Sequence, residues 1–305
     1  MAFTAQDVKK LREMTNCGMM DCKKALTETD GDMDKAVEFL REKGLATAAK
    51  KAGRIAAEGI VKSYISGNVG VLVEVNSETD FVAKNVDFQN FVQAVAEVIA
   101  AQNPADVDAL KELKLSDTQT VGEALTEKIA TIGENMNIRR FVRIESSGAM
   151  TDYIHAAGKI GVLIDAEAPN TDEVQECLRN VAMQIAALNP KYLSDADVSE
   201  EYKEHEKQIL IAQLKNDPKN ASKPDNIIEK MISGRLNKEL KEICLLGQEY
   251  VKAEHKETVA QYVEAVSKKI GSTVTLKSFV RFETGEGLEK KEENFADEVA
   301  KMMGK

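Results

Sequence analysis

A chain of 305 residues, 43% hydrophobic and 30% charged, has the composition of an ordinary globular protein and is long enough to bury two or more cores. Its formal net charge of −10 argues against an electrostatic grip on DNA or RNA, which is built from clustered Lys and Arg, and favours a protein partner. Apolar stretches such as Phe91 to Ala101 are interrupted by Gln93 and Glu97 and fall short of the roughly 20 residues that span a bilayer, so no membrane association is expected.

The opening Met1 to Asp7 lacks the apolar core of a secretory signal and the Arg-rich character of a transit peptide. Cys17, Cys22, Cys177 and Cys244 make no C-x-x-C pair, so a cytoplasmic protein with reduced thiols is expected. Residues 1 to 54 read as a compact unit of three short helices, small enough to be only marginally stable. Thr4 and Asp7 form a T-x-x-D cap ahead of Val8, Leu11 and Met14 on one face, and Asn16-Cys17-Gly18 ends this helix. The second helix carries Met20, Ala25 and Leu26 and stops before Thr29-Asp30-Gly31. Asp32 caps the third, with Ala36, Val37 and Leu40 inward and Gly44 closing it. Met19 and Met20 sit in the turn between the first two helices, an arrangement similar to ubiquitin-associated domains, where that loop touches a partner. The alternative is that both methionines fill the core. Met20 is expected partly buried and Met19 partly exposed. The basic run Lys50-Lys51-Ala52-Gly53-Arg54 reads as a solvated linker rather than a nucleic-acid contact.

Beyond residue 55 the pattern changes to strands, and a duplication organises the chain. Gly67 to Val75 matches Gly158 to Ala166, each a β-branched apolar run entered from a glycine turn. Val95 to Pro104 matches Val181 to Pro190, both buried helices stopped by Asn-Pro. Phe141-Val142-Arg143-Ile144-Glu145 and Phe279-Val280-Arg281-Phe282-Glu283 supply a closing strand to each copy. Residues 55–146 and 147–285 are therefore expected to form two related α/β subdomains with small antiparallel sheets, an α+β fold overall. The matched strands lie 91 positions apart and the matched helices 86, which leaves five extra residues in the first copy, within Asn76 to Asn85. A segment that one copy has and the other lacks is not needed to close the shared core, and so is a candidate for function.

The second copy has its own insertion, about 195–246. Val198, Tyr202, His205, Ile209 and Ala212 on one helix, and Ile228, Ile232, Leu236, Leu240 and Ile243 on the next, read as an antiparallel coiled-coil hairpin. Asn216 to Asn220 make the turn, and Pro224 opens the returning helix. A helix starting near Asp197 reaches roughly 28 Å and is expected to project from the core. Residues 286–305 read as a short amphipathic helix.

Catalytic constellations are missing. His155, His205 and His255 share no metal-ligand spacing, no Walker or G-x-G-x-x-G motif is present, and no carboxylate is isolated in an apolar run as a general acid requires. Neither enzyme activity nor a cofactor is expected. What remains is the extra segment. If Thr79 is a helix N-cap, Asp80 suits the helix dipole and Phe81 projects beside it as a rigid wedge; alternatively Phe81 folds back into the core.

Thr15 to Leu26, Thr79-Asp80-Phe81-Val82-Ala83-Lys84, Lys128 to Asn135 and Arg281-Phe282-Glu283, in this order, resemble the elongation factor Ts family over nearly the whole chain. The resemblance implies a ubiquitin-associated-like N-terminal domain, a duplicated core, a coiled-coil insertion and a C-terminal module. It implies a guanine-nucleotide exchange factor, without covalent chemistry, for the GTPase elongation factor Tu, with a homodimer in a 2:2 complex as one possible assembly. Thr79, Asp80, Phe81 and Val82 are implied to enter the nucleotide domain and dislodge Mg²⁺, Arg12, Met19, Met20 and Lys23 to touch the same domain, and His155 to face another. The chain departs from the family at Ala156-Ala157, where glycine is more usual, and at Glu249, where proline is frequent. An adaptor that recruits a partner without altering its nucleotide is the main alternative, ahead of an RNA-binding factor and a hydrolase.

Overall fold

The structure is a computed structural model and describes residues 3–15, 17–216 and 223–290. Asn16, the expected hairpin turn beyond Asn216 and residues 291–305 of the expected tail helix lie outside them; the first residues of that expected helix, 286–290, are turn and irregular backbone rather than helix. Three helices open the chain, α1 (Ala5–Thr15), α2 (Met19–Glu28) and α3 (Met33–Lys51). The first half of the core follows as β1 (Glu58–Ser66), β2 (Val69–Ser77), α4 (Asp80–Ala83), α5 (Val86–Gln102), α6 (Val107–Glu112), the short ribbon β3 (Lys114–Ser116) and β4 (Gln119–Thr120), α7 (Val121–Ile132) and β5 (Met136–Glu145). The second half is β6 (Ala149–His155), β7 (Ile160–Glu167), α8 (Asp172–Leu188), α9 (Glu200–Asn216), α10 (Asp225–Ile243), α11 (Val259–Ile270) and β8 (Thr275–Glu283).

The opening helices start where their caps predict. Thr4 N donates to Asp7 Oδ2 at 2.7 Å and Asp7 N returns to Thr4 Oγ1 at 3.3 Å, while Asp32 accepts from Lys35 N at 3.1 Å. Val8, Leu11, Cys22, Ala25, Leu26, Ala36 and Leu40 make their core. Four expectations are corrected. Met14 is exposed, and Met20 is more exposed than Met19, 74% against 44%, because Cys22 takes the inward position on α2. Gly44 does not end α3, which runs on to Lys51; a Cβ there would lie 3.7 Å from that of Ala130, so the glycine packs α3 on α7. Nor is the basic run a free linker, since Lys50 and Lys51 finish α3, Lys51 Nζ donates to Gly133 O, and Arg54 pairs with Glu78 at 3.4 Å.

Each half of the core holds one three-stranded antiparallel sheet, β1-β2-β5 and β6-β7-β8, with the duplicated strand in the centre. The duplication extends to detail: both sheets slip register at matching positions, Glu74/Val75 and Asp165/Ala166. Asn103 (φ 47°) and Asn189 (φ 46°) end α5 and α8 in the left-handed region ahead of their prolines. A further correspondence emerges between α7 and α11. Each begins in a capping box, Thr120 with Glu123 and Thr258 with Gln261, and ends at a left-handed glycine, Gly133 and Gly271.

Phe88, Val92, Val95 and Ile99 of α5 cover the outer face of the first sheet at Val71, Val73 and Val75, and Leu178, Val181 and Ile185 of α8 cover Val162 and Ile164 of the second. The inner faces meet through Val61, Leu72, Met150, Leu163 and Phe282, which gives a helix–sheet–sheet–helix sandwich. β2 is covered on both sides, which is why it reads as an almost unbroken apolar run. Two glycines let the sheets approach. A Cβ at Gly70 would overlap Met150 Sδ and sit 3.0 Å from Leu163 Cδ1; one at Gly161 would sit 2.5 Å from Val61 Cγ1 and 2.9 Å from Leu72 Cδ1. Gly70 faces Leu163 as Gly161 faces Leu72, the reciprocal contact of a two-fold pair.

One carboxylate does lie in an apolar run. Glu74 on β2 is fully buried, yet Arg139 at 3.0 Å, Arg140 at 2.6 Å and Gly285 N at 2.8 Å saturate it, so it ties β5 and the turn after β8 to the central strand. In the insertion, α9 and α10 pack antiparallel through Leu210, Leu214 and Ile232. Ile228, Ile232 and Leu236 line the seam as expected, but on α9 His205, Ile209 and Ala212 face solvent and Leu210, Ile211 and Leu214 carry it instead. No helix among the described residues is long and apolar enough to cross a membrane.

Candidate functional site

The extra segment of the first half leaves the buried end of β2 and forms the single turn of α4 before Asn85 caps α5, its Oδ1 accepting from Asp87 N at 2.8 Å. Along this turn the side chains divide between solvent and core. Val82 and Ala83 are buried in the first-half core, while Phe81 is 78% exposed. Lys84 spans the outside, its Nζ 2.7 Å from Asp80 Oδ2 and 5.7 Å from the centre of the Phe81 ring. The hydrogen bond from Lys84, with its charge and that of Lys159, holds the Asp80 carboxyl below its ordinary pKa of 3.8.

Thr79 occupies the N-cap position, as the sequence suggests, but makes no side-chain cap hydrogen bond. Its hydroxyl is committed elsewhere, donating to Glu134 Oε1 at 2.6 Å, while the amides of Glu78 and Thr79 both donate to Glu134 Oε2 at 3.1 and 3.0 Å. Asn135 N donates to Glu78 Oε1 at 2.6 Å, and the Asn135 amide reaches back to Arg54 O at 2.8 Å. The turn 133–135, the approach to α4 and the exit of α3 thus form one hydrogen-bonded knot. Sequence reasoning missed Glu78, Glu134 and Asn135 as site residues. The stretch Lys128 to Asn135 is a family match, but partners more than 50 positions apart carry no local periodicity.

The residues expected on the N-terminal side are exposed: Arg12 on α1, Met19 and Met20 at the start of α2, and Lys23 one turn on. Arg12 and Met19 border a cleft of about 500 Å³ whose opposite wall is Asp87 of α5 with Lys128 and Ile132 of α7. This cleft brings α1 and α2 beside the helix that follows the Phe81 turn. His155 belongs to the second half, exposed at the end of β6 and 3.1 Å from Tyr153 Oη through Nδ1. After it, Ala156 and Ala157 both take left-handed backbone (φ 48° and 55°), a conformation that glycine adopts without cost. Gly158 (φ 98°) follows with Ile60 against its α-carbon.

A family model described as Elongation factor TS matches residues 78–286, from the Phe81 turn to just past β8. Curated relatives named Elongation factor Ts are similar over their whole length. The Clostridium perfringens protein is 55% identical over 307 aligned residues, covering 99% of this chain and 100% of that one. Those of Clostridium novyi, at 52% with 98% of each chain covered, and Syntrophotalea carbinolica, at 51% with 99% of each, are close behind. A family match over two thirds of the residues, and identity of half or more from end to end, leave one conclusion: this chain belongs to the elongation factor Ts family and is a translation elongation factor.

Proposed function

We propose that this chain binds elongation factor Tu in its GDP form and drives the nucleotide off by a wedge mechanism, with no covalent step. Phe81 enters the partner's nucleotide domain beside the Mg²⁺ site; the ion that neutralises the phosphates is lost, and GDP leaves faster. By linkage, whatever this chain does to weaken nucleotide binding, nucleotide does to weaken the hold of this chain, so arriving GTP helps to release it. Arg12, Met19, Met20 and Lys23 dock on the same domain, and His155 on another. In this reading residues 1–54 are a ubiquitin-associated-like docking unit, and the hairpin at about 195–246 is a coiled-coil arm.

The observation that carries the proposal is the mounting of Phe81. A side chain whose burial is worth about 1.5–3 kcal/mol stands 78% exposed, although its neighbours Val82 and Ala83 are packed in the core. An apolar ring held out from so firm a base is explained by a partner that covers it. The test is the release of labelled GDP from elongation factor Tu with catalytic amounts of this chain. Wild type speeds release, and Phe81→Ala, which empties no core site, loses about 2 kcal/mol of that effect, roughly 30-fold. A Phe81→Ala variant as active as wild type sinks the wedge, and a chain that binds without changing GDP release is an adaptor.

A further inference from the structure

Glu134 has a place in the fold that stability alone does not explain. It follows directly on Gly133, the left-handed cap of α7, at the helix end where the backbone dipole disfavours an anion. What it gains there is three donors from the segment that carries Phe81: the amides of Glu78 and Thr79, and the Thr79 hydroxyl. The duplication provides an internal control. Thr120, Gly133 and Phe141 recur 138 positions later as Thr258, Gly271 and Phe279, and the same step from Glu134 arrives at Ser272. The copy without the extra segment also lacks the carboxylate, although its helix, glycine cap and closing strand are all retained.

From this pairing of clamp and segment we propose that Glu134 is a positioning residue for the exchange reaction, fixing the two peptides before α4 so that the Phe81 ring is presented at one angle. This inference rests on the wedge reading above. Asn135 and Arg54 brace the clamp from behind through Glu78 and the α3 exit, so Glu134 is itself held in place. Removing the carboxylate leaves the ring and the docking residues unchanged but lets the wedge swing, which lowers the yield of each encounter more than the number of encounters.

The experiment measures GDP release from elongation factor Tu against the concentration of full-length chain, for wild type, Glu134→Ala, Glu134→Gln, Thr79→Val and Phe81→Ala. The maximal rate is expected to fall about tenfold in Glu134→Ala, with the half-saturating concentration within about twofold of wild type. Glu134→Gln, which keeps an acceptor for the two amides, and Thr79→Val, which removes only the hydroxyl, should fall between. Amide hydrogen exchange at residues 78 and 79 should speed up in Glu134→Ala and not in Phe81→Ala. If Glu134→Ala fails to fold, Glu134→Gln and Thr79→Val decide. An undiminished maximal rate, or a loss seen wholly as weaker half-saturation, overturns the clamp. If Phe81→Ala also matches wild type, the wedge reading has failed; if Phe81→Ala is crippled and the clamp variants are not, only the inference about Glu134 falls.

Discussion

Four consecutive residues divide the work of the Phe81 turn. Thr79 is held by Glu134, Asp80 by Lys84 and Val82 by the core, while the Phe81 ring stands out into solvent. Asp80 gives this division a measurable signature. Its folded pKa is depressed, so the Asp80–Lys84 contact favours the turn above the ordinary value of 3.8 and is lost as pH falls through the lower folded value. Carboxyl carbon NMR should find Asp80 titrating below 3.8 in the wild type, and Lys84→Met should bring it back toward that value. An Asp80 that titrates normally in the wild type means the lysine is not seated there in solution. The pair is exposed and its salt bridge weak, so its role is to orient the turn rather than to stabilise the fold.

At the scale of the element, the turn joining β6 to β7 is the place where local sequence and backbone disagree. Ala157 at φ 55° and ψ 38° is left-handed at a cost of about 1–2 kcal/mol, from which the greater freedom of an unfolded glycine takes back about 0.4–1 kcal/mol. Ala157→Gly should therefore raise stability by roughly 0.5 kcal/mol, seen as a higher urea midpoint at unchanged slope; a lower midpoint contradicts the strain. How far other elements were legible follows the range of the forces that set them. The caps Thr4 and Asp32, the Asn-Pro stops and the matched strands are local chemistry and could be read directly. The α9 seam could not, because Ile209-Leu210-Ile211 places three apolar residues in a row and its true phase is chosen by α10. Gly44 reads as a stop by its own preference and is overruled by α7, and Met20 yields the inward place to Cys22. Glu134 was the least visible, since its meaning lies in two peptides that precede it by 55 and 56 residues.

For the whole molecule, the decisive contact is between the sheets. Substituting Gly70 or Gly161 with Ala drives a methyl into that interface and should cost about 1–3 kcal/mol in denaturant unfolding. Gly161→Ala should be the worse of the two, because it meets the branched Val61 on a strand, whereas Gly70→Ala meets first the flexible end of Met150. Equal costs contradict this order, and no cost at either position contradicts the close approach of the sheets. The close approach has a mechanical side as well. Phe81 is carried on the turn that leaves the end of β2, a strand with a sheet neighbour on each side, α5 in front and the second sheet behind. If the ring acts as the proposed wedge, the recoil of its push spreads through the entire sandwich, and the softer of the two bodies yields. A probe mounted on bedrock deforms what it touches, which in the proposed mechanism gives the sister half of the core a part in the stroke as backing for the sheet that bears the probe.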